Sequence, residues 1–168
     1  MPVSELEFRN ALSRFASGVS VVTTKDADGK FQGITVSAFS SVSLDPPLIL
    51  VCIEKTTASH FAVELSKTFV VNVLNSAQTE ISIRFASPVS DKFDRVDFRL
   101  GIDEIPVITG CLANLECRLA EAFDVGDHTI FIGRVENAFI TDGDPLLYFR
   151  SDYRLIGDTA ITPIRSRE

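Results

Sequence analysis

The chain has 168 residues, of which 45% are hydrophobic and 23% are charged, and its formal net charge is −7. This composition predicts a single globular domain over residues 1–168 with a sizeable core, and it excludes a disordered chain. The acidic balance excludes a basic footprint for nucleic acid, and no apolar run reaches the roughly 18 residues of a membrane span. Glu5, Glu7 and Arg9 interrupt any signal-peptide core. We therefore expect a cytoplasmic protein with no nucleic-acid or membrane partner.

The N-terminal residues predict a helix followed by a hairpin. Ser4 and Glu7 form a capping-box pattern, and apolar residues follow at helical spacing, so a short amphipathic helix should end near Gly18. The β-branched residues 19–24 predict a strand, and residues 26–30 form a polar turn. A second strand begins directly after that turn, so the two strands should pair.

Residues 33–52, GITVSAFSSVSLDPPLILVC, carry the most informative pattern in the chain. They begin as an alternating strand, continue as a serine-rich segment, turn at residues 45–47 and end as an apolar strand. Small side chains between Ser37 and Ser41 leave the main chain uncovered, which suits a flat ligand with a polar edge. The same pattern is typical of two strands joined by a serine-rich loop without a ligand, and the residues alone leave both interpretations open.

The remainder of the chain predicts more β-structure and two further short helices. Thr56 or Thr57 can cap a helix that runs through Leu65, and residues 76–86 have helical spacing. Extended segments are predicted over apolar or alternating stretches, at residues 68–74, 106–110, 111–123, 129–141 and 146–149. About seven strands at hairpin spacing and three short helices indicate a mainly β fold, an antiparallel barrel rather than a doubly wound sheet.

Two histidines are candidates for chemistry. His128 follows Gly126 and Asp127 in the turn between the two longest predicted strands. It could face a ligand at a barrel mouth, or it could contact only Asp127, and the residues alone leave both open. His60 lies among apolar residues of a predicted helix, where a structural role is expected. Since the chain has only two histidines, we expect no metal site built on two or three of them.

Other polar residues give weaker indications. Lys55 and Arg84 end apolar segments, where each could meet a phosphate or remain solvated. Cys52, Cys111 and Cys117 lack the spacing of a disulfide set, and we interpret all three as buried apolar residues. The sequence contains neither the glycine-rich dinucleotide fingerprint nor the phosphate-binding loop motif, which excludes a Rossmann or P-loop nucleotide site.

Six segments occur together in an order that resembles a known family: FRNALSRFASGVSVVTT, GITVSAFSSVSLDPPLILVCI, FVVNVL, IRFAS, GDHTIFIGRVE and PLLYFRSDY. Over residues 8–153 the chain resembles the short-chain flavin reductases, the reductase partners of two-component flavin monooxygenases. The resemblance implies an FMN-binding split barrel, which is an antiparallel Greek-key barrel that forms a homodimer. This fold agrees with the barrel expected from the strand spacing.

The resemblance also implies a site for FMN or FAD, with NADH or NADPH as the cosubstrate. The family segment that lies along the flavin ring is matched by Thr35, Val36, Ser37 and Ala38. The donors near the pyrimidine edge and the phosphate chain are matched by Ser40, Ser41 and Val42. The end of the following strand is matched by Cys52, Ile53, Glu54 and Lys55. The element beside the phosphate is matched by Arg84, Phe85 and Ala86. The turn that meets the nicotinamide is matched by Gly126, Asp127 and His128. The border of the same pocket is matched by Tyr153.

The implied chemistry requires no obligatory catalytic side chain, because the flavin carries the hydride and the protein binds and orients it. His128 would then assist nicotinamide binding. Two alternatives use the same fold. The first is a reductase whose flavin serves another acceptor, such as a cobalt corrinoid, and the second is a non-catalytic flavin-binding module. The expected partners are a second subunit, the nicotinamide cofactor, and a monooxygenase component or corrinoid acceptor.

Overall fold

The computed structural model describes residues 3–157, which form three α-helices, twelve β-strands and one 3-10 turn. The helices are α1 Glu5–Leu12, α2 Ala58–Ser66 and α3 Thr79–Ala86, and the 3-10 turn is Ile102–Glu104. The first six strands are β1 Ser17–Gly18, β2 Ser20–Lys25, β3 Phe31–Val36, β4 Phe39–Leu44, β5 Pro47–Glu54 and β6 Thr68–Val73. The last six are β7 Phe98–Leu100, β8 Pro106–Ile108, β9 Ala113–Val125, β10 His128–Ile140, β11 Leu147–Phe149 and β12 Asp152–Arg154.

Seven strands form one antiparallel sheet in the order β3-β2-β6-β9-β10-β5-β4. One buried cluster collects inward side chains from six of these strands, including Val22, Val36, Val51, Phe69, Cys117 and Phe131. Since strands from both halves of the sheet contact the same core, the sheet curls around it as a barrel. The predicted mainly β, antiparallel barrel with a few short helices is confirmed.

The two edge strands of the sheet, β3 and β4, are consecutive in the chain. They are joined by Ser37 and Ala38, and the Ala38 carbonyl accepts a 3.1 Å hydrogen bond from the Cys52 amide on β5. The end of β3 is therefore held beside β5, although β3 and β5 belong to opposite ends of the strand order. This junction between β3 and β5 is called the seam below.

The serine-rich segment forms an edge strand, which differs from the alternative of a loop. Residues 39–44 pair with β5, with Ser40 opposite Leu50 and Phe39 opposite Val51. An exposed edge tolerates hydroxyl side chains because one side of the strand faces solvent. Tertiary pairing with an apolar neighbour has overridden the local turn preference of serine.

Both outer helices differ in extent from the prediction. The capping box of α1 is present, with the Ser4 amide donating to Glu7 Oε2 at 2.9 Å, but the helix ends at Leu12 rather than near Gly18. Ser17 and Gly18 pair with β11 instead. Helix α3 begins three residues later than predicted, because the Asn75 side chain accepts from the amide of Ala77 and stabilises a turn there.

Within residues 3–157, no helix combines the length and the apolar character needed to cross a membrane.

Candidate functional site

Three clefts meet along β3. The seam cleft, of about 220 Å³, is lined by residues 34–38, residues 52–54 and His128. The tyrosine cleft, of about 170 Å³, shares residues 35–37 and adds Ser82, Ala86, Tyr148 and Tyr153. The lysine cleft, of about 490 Å³, shares Ile34 and Ala86 and extends to the start of α2 and to Lys92. Each pair of clefts shares at least one lining residue, so the three clefts adjoin one another beside β3.

The main chain of β3 faces these clefts along an open edge. The Gly33 carbonyl accepts a 3.0 Å hydrogen bond from Lys92 Nζ, so this carbonyl points away from β2. In an antiparallel pair the direction of the main-chain groups alternates, so the N–H and C=O of Thr35 point to the same side as those of Gly33. An amide donor and a carbonyl acceptor are thus presented side by side, which matches a planar ligand that carries both donors and acceptors on one edge.

Hydrogen bonds of hydroxyl groups hold the wall of the tyrosine cleft together. Thr35 Oγ1 donates to the Ser82 carbonyl at 2.7 Å, which ties β3 to α3. The Ser82 hydroxyl lies 2.8 Å from the Tyr153 hydroxyl, which ties α3 to β12. The rings of Tyr148 and Tyr153 pack edge to face with centroids 5.5 Å apart. Tyr153 is therefore held in place at the border of the cleft.

The lysine cleft has the donor set of an anion site. It is lined by Thr57, which caps α2, by the first residues of that helix, and by further hydroxyl and ammonium groups: Ser59, Ser87, Ser90, Lys30 and Lys92. Free amides at a helix N-terminus and the helix dipole favour negative charge. Partial burial lowers the pKa of Lys92 from its ordinary value. Its ammonium donates to the carbonyls of Gly33 and Phe85, so one of its three N–H groups is left for a ligand.

A two-residue turn presents His128 to the seam cleft. Gly126 has a φ of +59°, a value that a residue with a side chain adopts only with strain, and Val125 pairs with His128 across the turn. His128 Nδ1 donates to Asp127 Oδ1 at 2.7 Å, and this hydrogen bond lowers the pKa of Asp127. The imidazole is half-exposed and lies opposite Glu54 on β5. His128 therefore both contacts Asp127 and lines the seam cleft, so the two interpretations of the sequence hold at once.

The structure brings most of the residues matched by the resemblance to the β3 clefts. The seam cleft contains Thr35, Val36, Ser37, Ala38, Cys52, Ile53, Glu54 and His128. The neighbouring clefts contain Phe85, Ala86 and Tyr153. Three others lie outside the clefts: Gly126 and Asp127 form the turn, and Lys55 donates hydrogen bonds to their carbonyls.

Four matched residues lie elsewhere. Ser40, Ser41 and Val42 project from the exposed edge strand β4, and Arg84 lines a separate cleft on the far side of α3. Sequence reasoning also missed Ser82, Tyr148 and Lys92. The sequence did offer a signal for Ser82, since it directly precedes the IRFAS element, whereas Lys92 lies in a charged segment without a recognisable pattern.

The cysteines are only partly as predicted. Cys111 and Cys117 are buried, and burial raises the pKa of Cys111 to about 11 and that of Cys117 to about 12. Cys52 differs, because it is half-buried and lines the seam cleft. Its outward position follows from the strict alternation of β5, whose residues 49, 51 and 53 fill the core.

A model of the flavin reductase like domain family matches residues 12–157, and the chain belongs to this family. The FMN reductase (NADH) SmoA of Agrobacterium fabrum is 45% identical over 141 residues, which cover 84% of this chain and 80% of that protein. A probable flavin reductase of Rhizobium meliloti is 44% identical over 146 residues, and the chain spans only 47% of its length.

Solved structures give the same result. Nitrilotriacetate monooxygenase component B from Mycobacterium thermoresistibile has a TM-score of 0.91 and 35% identity, covering 98% of this chain and 93% of that one. The NADH:FAD oxidoreductase SgcE6 of Streptomyces globisporus, solved with NAD and FAD fragments, has a TM-score of 0.89 and 34% identity, covering 95% and 97%. The predicted membership of the flavin reductase family is confirmed.

Proposed function

We propose that the chain is an NAD(P)H-dependent flavin reductase that passes a hydride from NADH or NADPH to FMN or FAD and supplies reduced flavin to a separate monooxygenase. The observation that carries this proposal is the open main-chain edge of β3, which lines three connected clefts and ends in an anion site. A flavin has the matching parts, a planar ring with polar groups on one edge and a phosphate at the end of a flexible chain. When bound, it supplies the hydride acceptor.

The residues around β3 have distinct roles in this proposal. The small side chains of Ser37 and Ala38 let the ring approach the main chain, and the Thr35 amide and carbonyl bind its polar edge. The lysine cleft binds the phosphate through the start of α2 and the free N–H of Lys92. The hydrogen bonds from Thr35 to the Ser82 carbonyl and between the Ser82 and Tyr153 hydroxyls hold the wall of the tyrosine cleft in place.

His128 contacts the nicotinamide cosubstrate in this proposal. It lies in the seam cleft opposite Glu54, on the other side of the cleft from β3. His128→Ala should raise the KM for NADH about 10-fold, equivalent to about 1.4 kcal/mol, because a contact to the cosubstrate is lost. The dissociation constant of FMN should stay nearly constant. A fall in thermal stability with unchanged NADH kinetics would assign His128 a purely structural role.

The names of the relatives support the choice of cosubstrate and acceptor. SmoA is described as an FMN reductase that uses NADH, and SgcE6 as an NADH:FAD oxidoreductase. The thermoresistibile protein is a monooxygenase component, which favours a monooxygenase as the partner of this chain. We infer the same division of labour here, with FMN or FAD leaving the reductase in its reduced form.

Rapid mixing with NADH tests the proposed activity. The protein is loaded with FMN, and in parallel with FAD, and the absorbance of the oxidised flavin is followed after NADH or NADPH is added. Bleaching by at least one nicotinamide supports a reductase, and an unchanged spectrum with bound flavin identifies a non-catalytic binding module. Turnover is then measured with excess free flavin and with a cobalt corrinoid. Turnover with the corrinoid but not with free flavin would show that the acceptor is a corrinoid rather than a monooxygenase.

We infer that two copies of the chain form a homodimer. Helix α1 contributes no buried residue, and its apolar side chains are open, with Phe8 54% and Leu12 57% exposed. Phe15, directly after the helix, is 79% exposed. Several large apolar side chains exposed on and directly after one helix favour an interface between subunits. Light scattering should give twice the chain mass of 18.4 kDa, and a particle of the single mass would contradict the homodimer.

Cysteine chemistry supports a cytoplasmic location for this reductase. Cys52, Cys111 and Cys117 are free thiols, which is the usual state in a reducing compartment.

A further inference from the structure

A chain of hydrogen bonds, buried at the α2 end and exposed at Asp124, joins α2 to the β9–β10 hairpin that presents His128. His60 on α2 is only 4% exposed, and its Nε2 lies 2.8 Å from the hydroxyl of Thr129. Thr129 is 1% exposed and donates to Asp124 Oδ1 at 2.7 Å. A hydroxyl has one proton to donate, so its oxygen accepts the proton on His60 Nε2. The direction of every bond in this chain is therefore fixed.

Lys55 extends the chain from Asp124 to the main chain of the turn. Its Nζ lies 3.5 Å from Asp124 Oδ2 and donates to the Gly126 carbonyl at 3.2 Å. Its amide donates to the Asp127 carbonyl at 3.0 Å. Both carbonyls of the two-residue turn are thus bound to one residue of the β5–α2 connection.

At the buried end of this chain, the imidazole of His60 carries a nitrogen without a hydrogen bond to any described residue, which lowers the stability of the fold. His60 Nδ1 has no hydrogen-bond partner within residues 3–157, and its nearest carboxylate oxygen, Glu64 Oε2, is 3.7 Å away. The ring packs against Phe131, with centroids 5.3 Å apart, where an apolar side chain would fit without an unsatisfied nitrogen. Among the described residues, the one hydrogen bond that the imidazole makes goes to Thr129. A polar contact retained at such a cost indicates a role for the contact itself.

Thr129 and His128 are adjacent on β10 and point to opposite faces of the sheet. Thr129 points inward to α2, and His128 points outward to the seam cleft. We propose that Thr129, held by His60 and Asp124, is a positioning residue that fixes the strand end from which His128 meets the nicotinamide cosubstrate. This inference rests on the proposed function, and it extends the site to a side chain that touches no ligand.

The variant Thr129→Val tests the proposal, because valine keeps the shape of threonine and removes the hydroxyl. In the full chain, with free FMN and NADH, we expect the KM for NADH to rise about fivefold, with kcat and the FMN dissociation constant changed less than about twofold. Thr129→Ser should restore the KM. The matched control is Thr68→Val, since Thr68 is also 1% exposed and donates to an aspartate, Asp103 Oδ2, at 2.8 Å. It should lower the melting temperature and leave the KM for NADH unchanged.

A double variant shows whether Thr129 acts through His128. In the His128→Ala background, Thr129→Val should raise the KM no further, whereas a full additional rise would overturn the proposal. An unchanged KM in the single variant, or an equal rise in Thr68→Val, would also overturn it. If Thr129→Val does not fold, Asp124→Ala decides, because this side chain is 69% exposed and its loss breaks the same chain. A raised KM supports the proposal, and an unchanged KM contradicts it.

The same experiments separate this inference from the proposed function. A parent protein that does not reduce flavin with NADH contradicts both. If His128→Ala raises the KM and Thr129→Val does not, the proposed function stands and only the positioning role of Thr129 is wrong.

Discussion

Helix α3 has two faces with very different surroundings. The face toward the barrel contains Ser82 and Phe85, both fully buried, and it is tied to β3 by the hydrogen bond from Thr35. The opposite face contains Arg84, which lines a cleft of about 450 Å³ together with Arg95. That cleft meets the lysine cleft at Ser87 and Val89. Arg84, which the family resemblance matched to the phosphate, thus lies on the outer face of α3. The β3 clefts are instead lined by the small and aromatic residues on the inner face of this helix.

In the function proposed above, this difference leads us to expect separate parts of a flavin at the two faces. The lysine cleft combines a helix N-terminus with a partly buried ammonium, so it suits the phosphate next to the ribityl chain. The outer cleft has two arginines on an open surface, and an exposed charge contributes less to affinity than a buried one. Arg84 is therefore expected to act on a more distant group, such as the second phosphate of FAD. Three substitutions test this comparison.

The largest effect is expected from Gly33→Ala, which attacks the inner face. A Cβ at this position would lie 2.5 Å from Cε1 of Phe85, and that ring is fully buried. Helix α3 must then move away from β3, which should lower the free energy of unfolding by about 3 kcal/mol or more in urea titrations, because the buried ring has no room to move aside. The control Gly18→Ala has no atom within 4 Å and should change stability by less than about 0.5 kcal/mol. Equal stabilities would contradict the close contact of the two elements.

Much of the fold follows from local sequence patterns, and the exceptions have identifiable physical causes. The turn before β3, the capping threonine of α2 and the long hairpin β9–β10 were all predicted, because turn residues and periodicity act over a few positions. The short strand β1 was not predicted, because its partner β11 is distant in sequence and long-range pairing leaves no mark in a local pattern. Strand β4 was not predicted for another reason: its partner β5 follows directly in the chain, but the serines of β4 have the local preference of a loop.

The candidate site shows the same division. The segments 35–38 and 52–54 and His128 come together as the family resemblance implied, although no spacing rule predicts that they meet. Lys92 was missed because its segment reads as charged and irregular. In the structure its neighbour Phe93 packs against Phe31 and Phe85, and this anchors the lysine beside β3. An aromatic residue inside a charged stretch was the available indication.

An intermediate effect is expected from Lys92→Met, which keeps the aliphatic chain and removes the ammonium. We expect a loss of about 1.5–3 kcal/mol in FMN binding, because a charge-assisted hydrogen bond to phosphate disappears. Isothermal calorimetry measures this directly. Lys25→Met is the control, since Lys25 pairs with Glu104 in another cleft and should not affect FMN. An unchanged FMN affinity in Lys92→Met would move the phosphate out of the lysine cleft.

The smallest effect is expected from Arg84→Ala, which alters only the outer face. The loss in FMN binding should stay below about 1 kcal/mol, as for other exposed charges. FAD binding should weaken more than FMN binding, because only FAD has a phosphate that can reach the outer cleft. Comparison of the two dissociation constants in one variant is the measurement. A larger loss for FMN than in Lys92→Met would reverse the assignment of the two faces.

The open edge of β3 also bears on aggregation. A strand edge with free amides and carbonyls is a template on which a strand of another molecule can add, and proteins suppress such addition with short edge strands and with lysine. β3 is six residues long, and Lys92 places an ammonium on the carbonyl of Gly33 at the middle of that edge. Whenever a ligand leaves the clefts, the charge of Lys92 remains on the edge and opposes the addition of a foreign strand. The ammonium that would bind an anion in the proposed site therefore also disfavours strand addition when the clefts are empty.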